Sequence, residues 1–309
     1  MEYALEARGV YKQYGDYVAL NDINLKVPRG SIYGLLGPNG AGKTSLIRII
    51  NQITLADRGE ILLNGEPLAP RHIEDIGYMP EERGLYKSMK VGEQCIYLAR
   101  LKGLTKSEAQ SRLNYWFDRF DISSWWNKKL QELSKGMAQK IQFIVTVMHQ
   151  PSLLIFDEPF SGFDPVNANL IKDEIIKLRD DGATIIFSTH RMESVEEMCD
   201  HIALIDQSNL VLEGQIHQVK EKFRSSTYAV SLLTGEGEAI LNKIPERYLP
   251  ETIELKGLDK SIDFTIKITA PDSVPGALNM LTELGELVHF SEVIPSINDI
   301  FIKTVAAHG

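Results

Sequence analysis

A glycine-rich stretch near the N-terminus has the residue types and the spacing of a phosphate-binding loop. It fits the pattern G-x-x-x-x-G-K-[ST] and lies between an apolar run at residues 31–36, typical of a buried strand, and a predicted helix starting at residue 45. Glycines let successive backbone N–H groups turn toward an anion, and a helix N-terminus adds the positive end of its dipole. The predicted phosphate contacts are Gly37, Pro38, Asn39, Gly40, Ala41, Gly42, Lys43, Thr44 and Ser45.

Two side chains at the end of this loop suit a nucleoside triphosphate. Lys43 would reach the outer phosphates as a point charge, and the Thr44 hydroxyl would be a ligand of Mg²⁺. The plain alternative is a glycine-rich turn with a chance lysine. The match of every pattern position between a strand and a helix argues against that alternative, so the sequence predicts a nucleotide site with Mg²⁺.

Acidic side chains follow a second apolar strand, at residues 152–158. Two carboxylates at the end of a buried strand need partners, and a helix-capping pair is the simplest explanation. Because a phosphate loop lies upstream, we instead expect Asp157 to hold the Mg²⁺ shell and Glu158 to polarise the attacking water as a general base. His190 follows the strand at residues 183–188; it is either structural or near the γ-phosphate.

The elements that must position these residues alternate between strands and helices, which predicts an α/β fold. Short strands are expected over residues 3–27, around a turn at Gly15. Apolar residues at helical spacing predict a helical subdomain at about residues 88–150, inserted between strands. The candidate residues follow strands, so we expect them at the carboxyl edge of one sheet, where ligands of such folds bind.

A charged and serine-containing stretch at residues 220–227 marks the predicted domain boundary. We assign residues 1–224 to the nucleotide-binding domain and residues 225–309 to a small α+β accessory domain. The predicted order in the accessory domain is β-α-β-β-α-β, which suggests a ferredoxin-like arrangement. Its residues form no recognisable catalytic constellation, and packing or dimer support is a simpler role for it than ligand sensing.

Composition narrows the functional classes. The chain has 309 residues and a formal net charge of −9, which disfavours electrostatic capture by nucleic acid, so no nucleic-acid partner is expected. We expect no signal peptide, since residues 1–6 lack a basic region followed by an apolar core, and no apolar run in the sequence is long enough to cross a bilayer. The two cysteines, Cys95 and Cys199, lack metal-ligand spacing and are expected to be buried free thiols.

These motifs together resemble the ATP-binding subunits of ABC transporters over residues 1–224. The phosphate loop, the acidic strand end at residues 153–158, the segment 161–164 and His190 stand in the order of that family. Residues 133–137, L-S-K-G-M, stand where the family has its L-S-G-G-Q signature. The resemblance implies that Tyr14 stacks on adenine and that Ser134 and Gly136 contact the γ-phosphate.

Two departures from the family pattern stand out. The signature has Lys135 for its first glycine and Met137 for its glutamine. Glu81 replaces the usual Q-loop glutamine; its carboxylate could still be a Mg²⁺ ligand or orient water, but it adds negative charge beside ATP. The stretch 80–86, P-E-E-R-G-L-Y, and the extra C-terminal domain resemble a bacterial subgroup associated with sodium or drug efflux.

The resemblance implies a sandwich of two ATPase subunits, either a homodimer or a heterodimer with a related ATPase. ATP would lie between the phosphate loop of one subunit and the signature helix of the other, with Asp164 communicating across the interface. A separate transmembrane permease would dock on residues 81–105, which places the chain at the cytoplasmic face of the cell membrane. The alternatives are a soluble ABC ATPase in translation or repair and a non-hydrolysing nucleotide-binding regulatory module.

Overall fold

A computed structural model describes residues 3–81, 84–189, 191–234, 237–252 and 261–308. The chain divides into two compact units: Met1–Ile216 with Phe301–Gly309, and His217–Ile300. The domain boundary expected after residue 224 stays a prediction, since this division assigns residues 217–224 to the second unit and residues 301–309 to the first.

The strands of the first unit form two sheets. The antiparallel sheet has the order β2-β1-β4-β5, and the six-stranded sheet has the order β10-β9-β3-β8-β7-β6, in which β10 alone is antiparallel to its neighbour. The strands are β1 (Tyr3–Tyr14), β2 (Tyr17–Pro28), β3 (Ile32–Leu36), β4 (Arg58–Leu63), β5 (Glu66–Pro67), β6 (Ile76–Met79), β7 (Leu153–Asp157), β8 (Thr184–Ser188), β9 (His201–Asp206) and β10 (Asn209–Gln215).

Helices connect these strands, in agreement with the predicted α/β class. Three helices come between β6 and β7, where the sequence predicts a helical subdomain. The helices in chain order are α1 (Lys43–Ile50), α2 (Val91–Leu101), α3 (Lys106–Arg119), α4 (Lys135–Val147), α5 (Pro165–Asp180), α6 (Met192–Met198) and α7 (Ile216–Lys222).

Three inner strands of the larger sheet, β3, β7 and β8, are buried along their whole length. One core cluster joins them to α1 and to strands of the antiparallel sheet. The sequences of these three strands are therefore continuously apolar rather than alternating. β3, β7 and β8 run parallel, so the segments that follow them lie at one edge of the sheet. This arrangement brings the phosphate loop and the acidic strand end to the same edge.

Local contacts explain the helical insertion. Thr105 and Glu108 form the capping box of α3, with the Thr105 N–H donating to a Glu108 carboxylate oxygen at 2.9 Å. The aromatic stripe of α3 is core: Trp116 stacks on Phe120, and both pack edge-on against Phe143 of α4. Both cysteines are buried and free.

The second unit contains a four-stranded antiparallel sheet, ordered β12-β13-β11-β14. This order and its pairing directions agree with the predicted ferredoxin-like arrangement. One expected helix differs, since residues 237–243 and 246–248 form two 3-10 segments. The remaining elements of this unit are β11 (Thr227–Leu233), β12 (Glu251–Thr252), β13 (Ser261–Lys267), α8 (Val274–Leu284) and β14 (Glu286–Glu292). The last helix, α9 (Ile297–His308), begins in this unit, and its residues from Phe301 onward belong to the first unit.

Within the described ranges, the structure has no helix that combines the length and the apolar character needed to span a membrane.

Candidate functional site

The loop between β3 and α1 has the backbone of an anion-binding turn. Gly37, Gly40 and Gly42 all have positive φ angles, of 145°, 81° and 117°. A Cβ added at Gly37 would lie 2.1 Å from the carbonyl oxygen of Ile205, and one added at Gly42 would lie 2.3 Å from that of Ala19. Glycine is therefore required at both positions by close backbone contact as well as by conformation.

Lys43 begins α1 and folds back over the loop. Its Nζ donates to the carbonyl oxygens of Gly37 at 2.6 Å and Pro38 at 3.0 Å. Burial lowers the pKa of Lys43, and the nearby carboxylates of Asp157, Glu158 and Glu81 counteract that effect. The ammonium group thus lies between the loop carbonyls and the carboxylates of Asp157, Glu158 and Glu81. A bound phosphate could take the place of the carbonyls as its hydrogen-bond acceptor.

Asp157 is the last residue of β7 and is only 7% exposed. Burial raises its pKa, and the carboxylates of Glu81 and Glu158 raise it further, whereas the Ser188 hydroxyl and the Lys43 ammonium lower it. Ser188 ends β8 and pairs in register with Asp157. A buried carboxylate whose ionised form is disfavoured in this way is suited to bind a cation.

Glu158 follows Asp157 with a left-handed backbone, at a φ of 50°. A non-glycine residue in this region stores strain, and such residues cluster at functional sites. The Glu158 N–H donates to the Ser188 carbonyl at 2.8 Å, and the Thr189 hydroxyl donates to a Glu158 carboxylate oxygen at 3.2 Å. The first contact holds the Glu158 backbone against the end of β8, and the second holds its carboxylate at Thr189.

These residues enclose a cleft of about 180 Å³. The structure therefore brings together the phosphate loop, Glu81 and the two acids of the strand end, as the sequence analysis expects. Thr44, Asp157 and Glu81 supply the oxygen atoms that Mg²⁺ prefers. The cleft is lined by Tyr17, Asn39, Gly40, Ala41, Gly42, Lys43, Thr44, Ser45, Glu81, Asp157, Glu158 and Ser188.

Five expected contacts lie outside this lining: Gly37 and Pro38, whose carbonyl oxygens accept from Lys43, and Tyr14, Ser134 and Gly136. Tyr14 ends β1, is 44% exposed and has the Lys12 ammonium 5.2 Å from its ring centroid. Ser134 caps α4, its hydroxyl accepting from the Met137 N–H at 3.3 Å, and Gly136 lies in the first turn of that helix. Their proposed contacts with nucleotide stay predictions.

His190 falls outside the described residues. The residue before it, Thr189, is 1% exposed and bonds to Glu158, so the segment leading to His190 follows β8 at the cleft edge. The role of His190 at the γ-phosphate also stays a prediction.

Sequence reasoning missed two residues of the cleft, Tyr17 and Ser188. Ser188 had a usable signal, because it ends the strand parallel to β7 and must face the same edge. Tyr17 had only its position ahead of the loop, which it shares with other tyrosines of the β1–β2 hairpin.

Comparison with known families accounts for most of the chain. A family model described as ABC transporter matches residues 20–161. A second model, described as ATP-binding protein DrrA1-3-like, C-terminal domain, matches residues 214–305.

Individual relatives extend over both parts. The protein YhaQ of Bacillus subtilis (strain 168), named an ABC transporter ATP-binding protein, is 40% identical over 300 residues, covering 96% of this chain and 97% of the relative. The linearmycin resistance ATP-binding protein LnrL of the same organism is 30% identical, covering 84% of this chain and 85% of the relative. A solved structure described as the ATP binding subunit of an ABC transporter superposes with a TM-score of 0.67 at 29% identity, covering 71% of this chain and 93% of that chain.

Proposed function

This chain belongs to the family of ABC transporter ATP-binding proteins, and we propose that it works in an exporter as one of two ATPase subunits that drive a separate transmembrane permease. The chain binds ATP and hydrolyses it, which is how this family powers transport. ATP-binding subunits of this kind act together with transmembrane permease subunits. The dimeric arrangement, the direction of transport and the roles of single residues are the proposed part.

One observation supports the assignment of roles most strongly: the phosphate loop and the Asp157–Glu158 strand end line one cleft. Lys43 and the loop N–H groups bind the phosphates. Glu158 orients the attacking water and accepts its proton, and Asp157, Thr44 and Glu81 hold Mg²⁺, which neutralises charge on the phosphates. His190 contacts the γ-phosphate and Tyr14 stacks on the adenine.

The second half of the active site comes from another subunit. Ser134 and Gly136 begin α4, yet neither lines the cleft of their own chain. A helix N-terminus presents N–H groups to an anion. We assign them to the γ-phosphate bound by the partner ATPase, either a second copy or a related chain, so that ATP binding closes the dimer and hydrolysis reopens it.

The permease docks, in this proposal, on an apolar groove of the first unit. The groove has a volume of about 320 Å³ and lies between the helical insertion and the segment after β6. Apolar side chains are unusually exposed at its rim, among them Ile53 at 61% and Leu101 at 60%. Docking here would hold the chain at the cytoplasmic face of the cell membrane.

Export is the direction that the relatives favour. LnrL is named for resistance to linearmycin, and the match to the DrrA1-3-like C-terminal model covers the accessory domain of this chain. We propose that the transported compound leaves the cell, with a drug or sodium as the class of substrate.

A measurement of phosphate release from ATP tests this function. Glu158→Gln removes the proposed base but keeps the shape of the side chain, so we expect phosphate release to fall by 100-fold or more, in line with the usual contribution of a general base. The matched control is Glu60→Gln, at an exposed position of β4, which should keep wild-type turnover. Full turnover by Glu158→Gln would exclude Glu158 as the base.

The same variant identifies the partner. Tagged Glu158→Gln, held with ATP and Mg²⁺ and purified from gently solubilised cells, should bring a multi-spanning membrane protein with it. Recovery of ribosomes or nucleic acid without a membrane protein would instead establish a soluble ABC ATPase. A chain that binds ATP but releases no phosphate would be a regulatory module.

A further inference from the structure

Tyr17 ties the first β-hairpin to the tip of the phosphate loop. It begins β2, opposite Tyr14, and its side chain lines the nucleotide cleft. Its hydroxyl donates to the carbonyl oxygen of Gly40 at 2.5 Å, which is within the range of a strong O–H···O hydrogen bond. The family motifs described above do not include this residue.

Gly40 is the open point of the loop among the described residues. Gly40 adopts a φ of 81°, and a Cβ built on it would meet no atom within 4 Å. On either side the backbone is held, since the Ala41 N–H donates to the Pro38 carbonyl at 3.2 Å and the Ala41 carbonyl accepts from the Ser208 N–H at 3.2 Å. The Tyr17 hydroxyl thus holds the most open point of the loop.

The orientation of the Gly40 carbonyl matters for anion binding. A nest of N–H groups attracts phosphate only when the intervening carbonyl oxygens point away from the anion. If the peptide between Gly40 and Ala41 rotated, it would turn the Gly40 oxygen toward the phosphates and break the hydrogen bond from the Ala41 N–H to the Pro38 carbonyl. A phenol that donates to this oxygen opposes that rotation.

We propose that Tyr17 is a positioning residue that keeps the phosphate loop in its anion-binding conformation by holding the Gly40 carbonyl. The proposal deepens the nucleotide site of the proposed function and rests on it for the identity of the ligand. This role differs from that of Tyr14. Tyr14 is assigned to stacking on the adenine ring, whereas Tyr17 affects phosphate binding through the backbone of the loop.

A ligand that has the phosphates but no adenine or ribose distinguishes the role of Tyr17 from that of Tyr14. Binding of ATP and of inorganic tripolyphosphate, each with Mg²⁺, is measured by calorimetry on the full chain and on two variants, Tyr17→Phe and Tyr14→Phe. Phenylalanine keeps the ring and removes only the hydroxyl. Because one hydrogen bond is lost, we expect Tyr17→Phe to weaken both ligands by a similar factor, about three- to tenfold.

The accompanying readouts exclude a general structural effect. Tyr17→Phe should raise KM for ATP while kcat at saturation stays at the wild-type value, and hydrogen exchange of the amides at residues 40–45 should become faster. Tyr14→Phe should leave tripolyphosphate binding and this exchange unchanged.

Two results would overturn the proposal. Wild-type tripolyphosphate affinity in Tyr17→Phe would show that the hydroxyl does not position the loop. Weakened ATP binding with unchanged tripolyphosphate binding would mean that Tyr17 contacts the nucleoside directly. Failure of the proposed function is a separate outcome, since it would be seen in the wild-type chain as ATP binding without phosphate release or as purification without a membrane protein, and neither result depends on Tyr17.

Discussion

The side-chain amide of Gln142 donates a hydrogen bond to the carbonyl oxygen of Pro80 at 2.8 Å. Pro80 immediately precedes Glu81, which lines the nucleotide cleft, and Gln142 lies on α4. Gln139, one turn earlier on the same helix, donates to the carbonyl of Pro159, directly after Glu158, at 3.1 Å. The helix that begins at the signature residues is thereby bonded to both segments that present acids to the cleft.

These hydrogen bonds predict that a change in α4 impairs the stimulation of ATP hydrolysis by the permease rather than the basal rate of hydrolysis. Gln142→Leu keeps the volume of a buried side chain but removes the donor to Pro80, at a cost of about 1 kcal/mol in stability. We expect basal ATPase activity close to wild type and a several-fold loss of its stimulation by the permease, because the groove beside Pro80 no longer moves with α4. Reconstituted complexes measure both rates.

The control for this change is Gln110→Leu on α3, where the amide donates to Asn114 on an exposed surface. It should leave both rates unchanged. Stimulation of Gln142→Leu equal to that of the wild type would show that the bond to Pro80 plays no part in coupling.

The parts of the site that could be predicted from sequence are those that consecutive residues specify. The phosphate loop has its strand, glycines and lysine within a few residues, and the acidic pair directly ends an apolar strand. The rule that ligands bind at the carboxyl edge of parallel strands then places the two segments together. The start of α3 at its capping box and the start of α4 at Ser134 follow from equally local signals.

What could not be predicted depends on contacts between distant segments. The bond from Tyr17 to Gly40 exists only because the β1–β2 hairpin folds beside the loop, and the sequence offered several tyrosines for that role. Glu158 has a left-handed backbone, and its N–H donates to Ser188 on the next strand, a contact between segments 30 residues apart. In the accessory domain, the expected first helix forms only 3-10 turns, and Pro245, which has no N–H to donate, follows it.

The ionised carboxylate of Asp157 should lower the free energy of unfolding of the nucleotide-free chain. Burial raises its pKa above the ordinary value, so the folded state binds the proton more readily than the unfolded state, and stability falls as pH rises through this range. We expect Asp157→Asn to raise the melting temperature by a few degrees at pH 7.5, with the difference shrinking as pH falls toward 4. The same variant should lose the stabilisation that ATP with Mg²⁺ gives the wild type.

Thermal melts with and without ATP and Mg²⁺ measure both effects. Asp173→Asn, on the exposed surface of α5, is the matched control and should melt like the wild type under each condition. A lower melting temperature for Asp157→Asn at pH 7.5 would show that the ionised carboxylate is stabilised in the folded chain.

His149 should make the chain sensitive to mild acid. Burial lowers its pKa to about 4, and the positive charges of Lys102 and Arg112 add to this effect, whereas its contact with the Ile76 carbonyl opposes it. The unfolded histidine titrates near pH 6.5, so stability is complete above that pH and is lost as pH falls toward 4. We expect His149→Gln to remove a loss on the order of 2 kcal/mol between pH 7.5 and pH 5.

Urea unfolding at the two pH values measures this loss. His289→Gln, at an exposed position of β14, is the control and should keep the wild-type dependence on pH. An unchanged dependence in His149→Gln would mean that other groups account for acid sensitivity.

The two departures from the signature and Q-loop patterns carry opposite charges. Glu81 adds a carboxylate to a cleft that already contains Asp157 and Glu158. Lys135 adds an ammonium group to the first turn of α4, and its stem lies over Gly162, where an added Cβ would be 2.5 Å from the lysine Cε. In the proposed dimer, the α4 N-terminus of one subunit faces the cleft of the other, so we predict that Lys135 compensates Glu81 across the interface.

A double-mutant cycle in the Glu158→Gln background tests this compensation. Glu81→Gln should tighten ATP binding because the amide keeps an oxygen for Mg²⁺ while the repulsion of the phosphates is removed, and Lys135→Ala should weaken it. The gain from Glu81→Gln should be larger when Lys135 is absent, because the carboxylate is then uncompensated. A coupling above about 0.5 kcal/mol, beyond the usual scatter of independent sites, is the expected result.

Since the two groups come from different subunits, the coupling should vanish at concentrations at which the chain is monomeric. Additive effects at every concentration would contradict a contact between them, and coupling that persists in the monomer would place it within one chain.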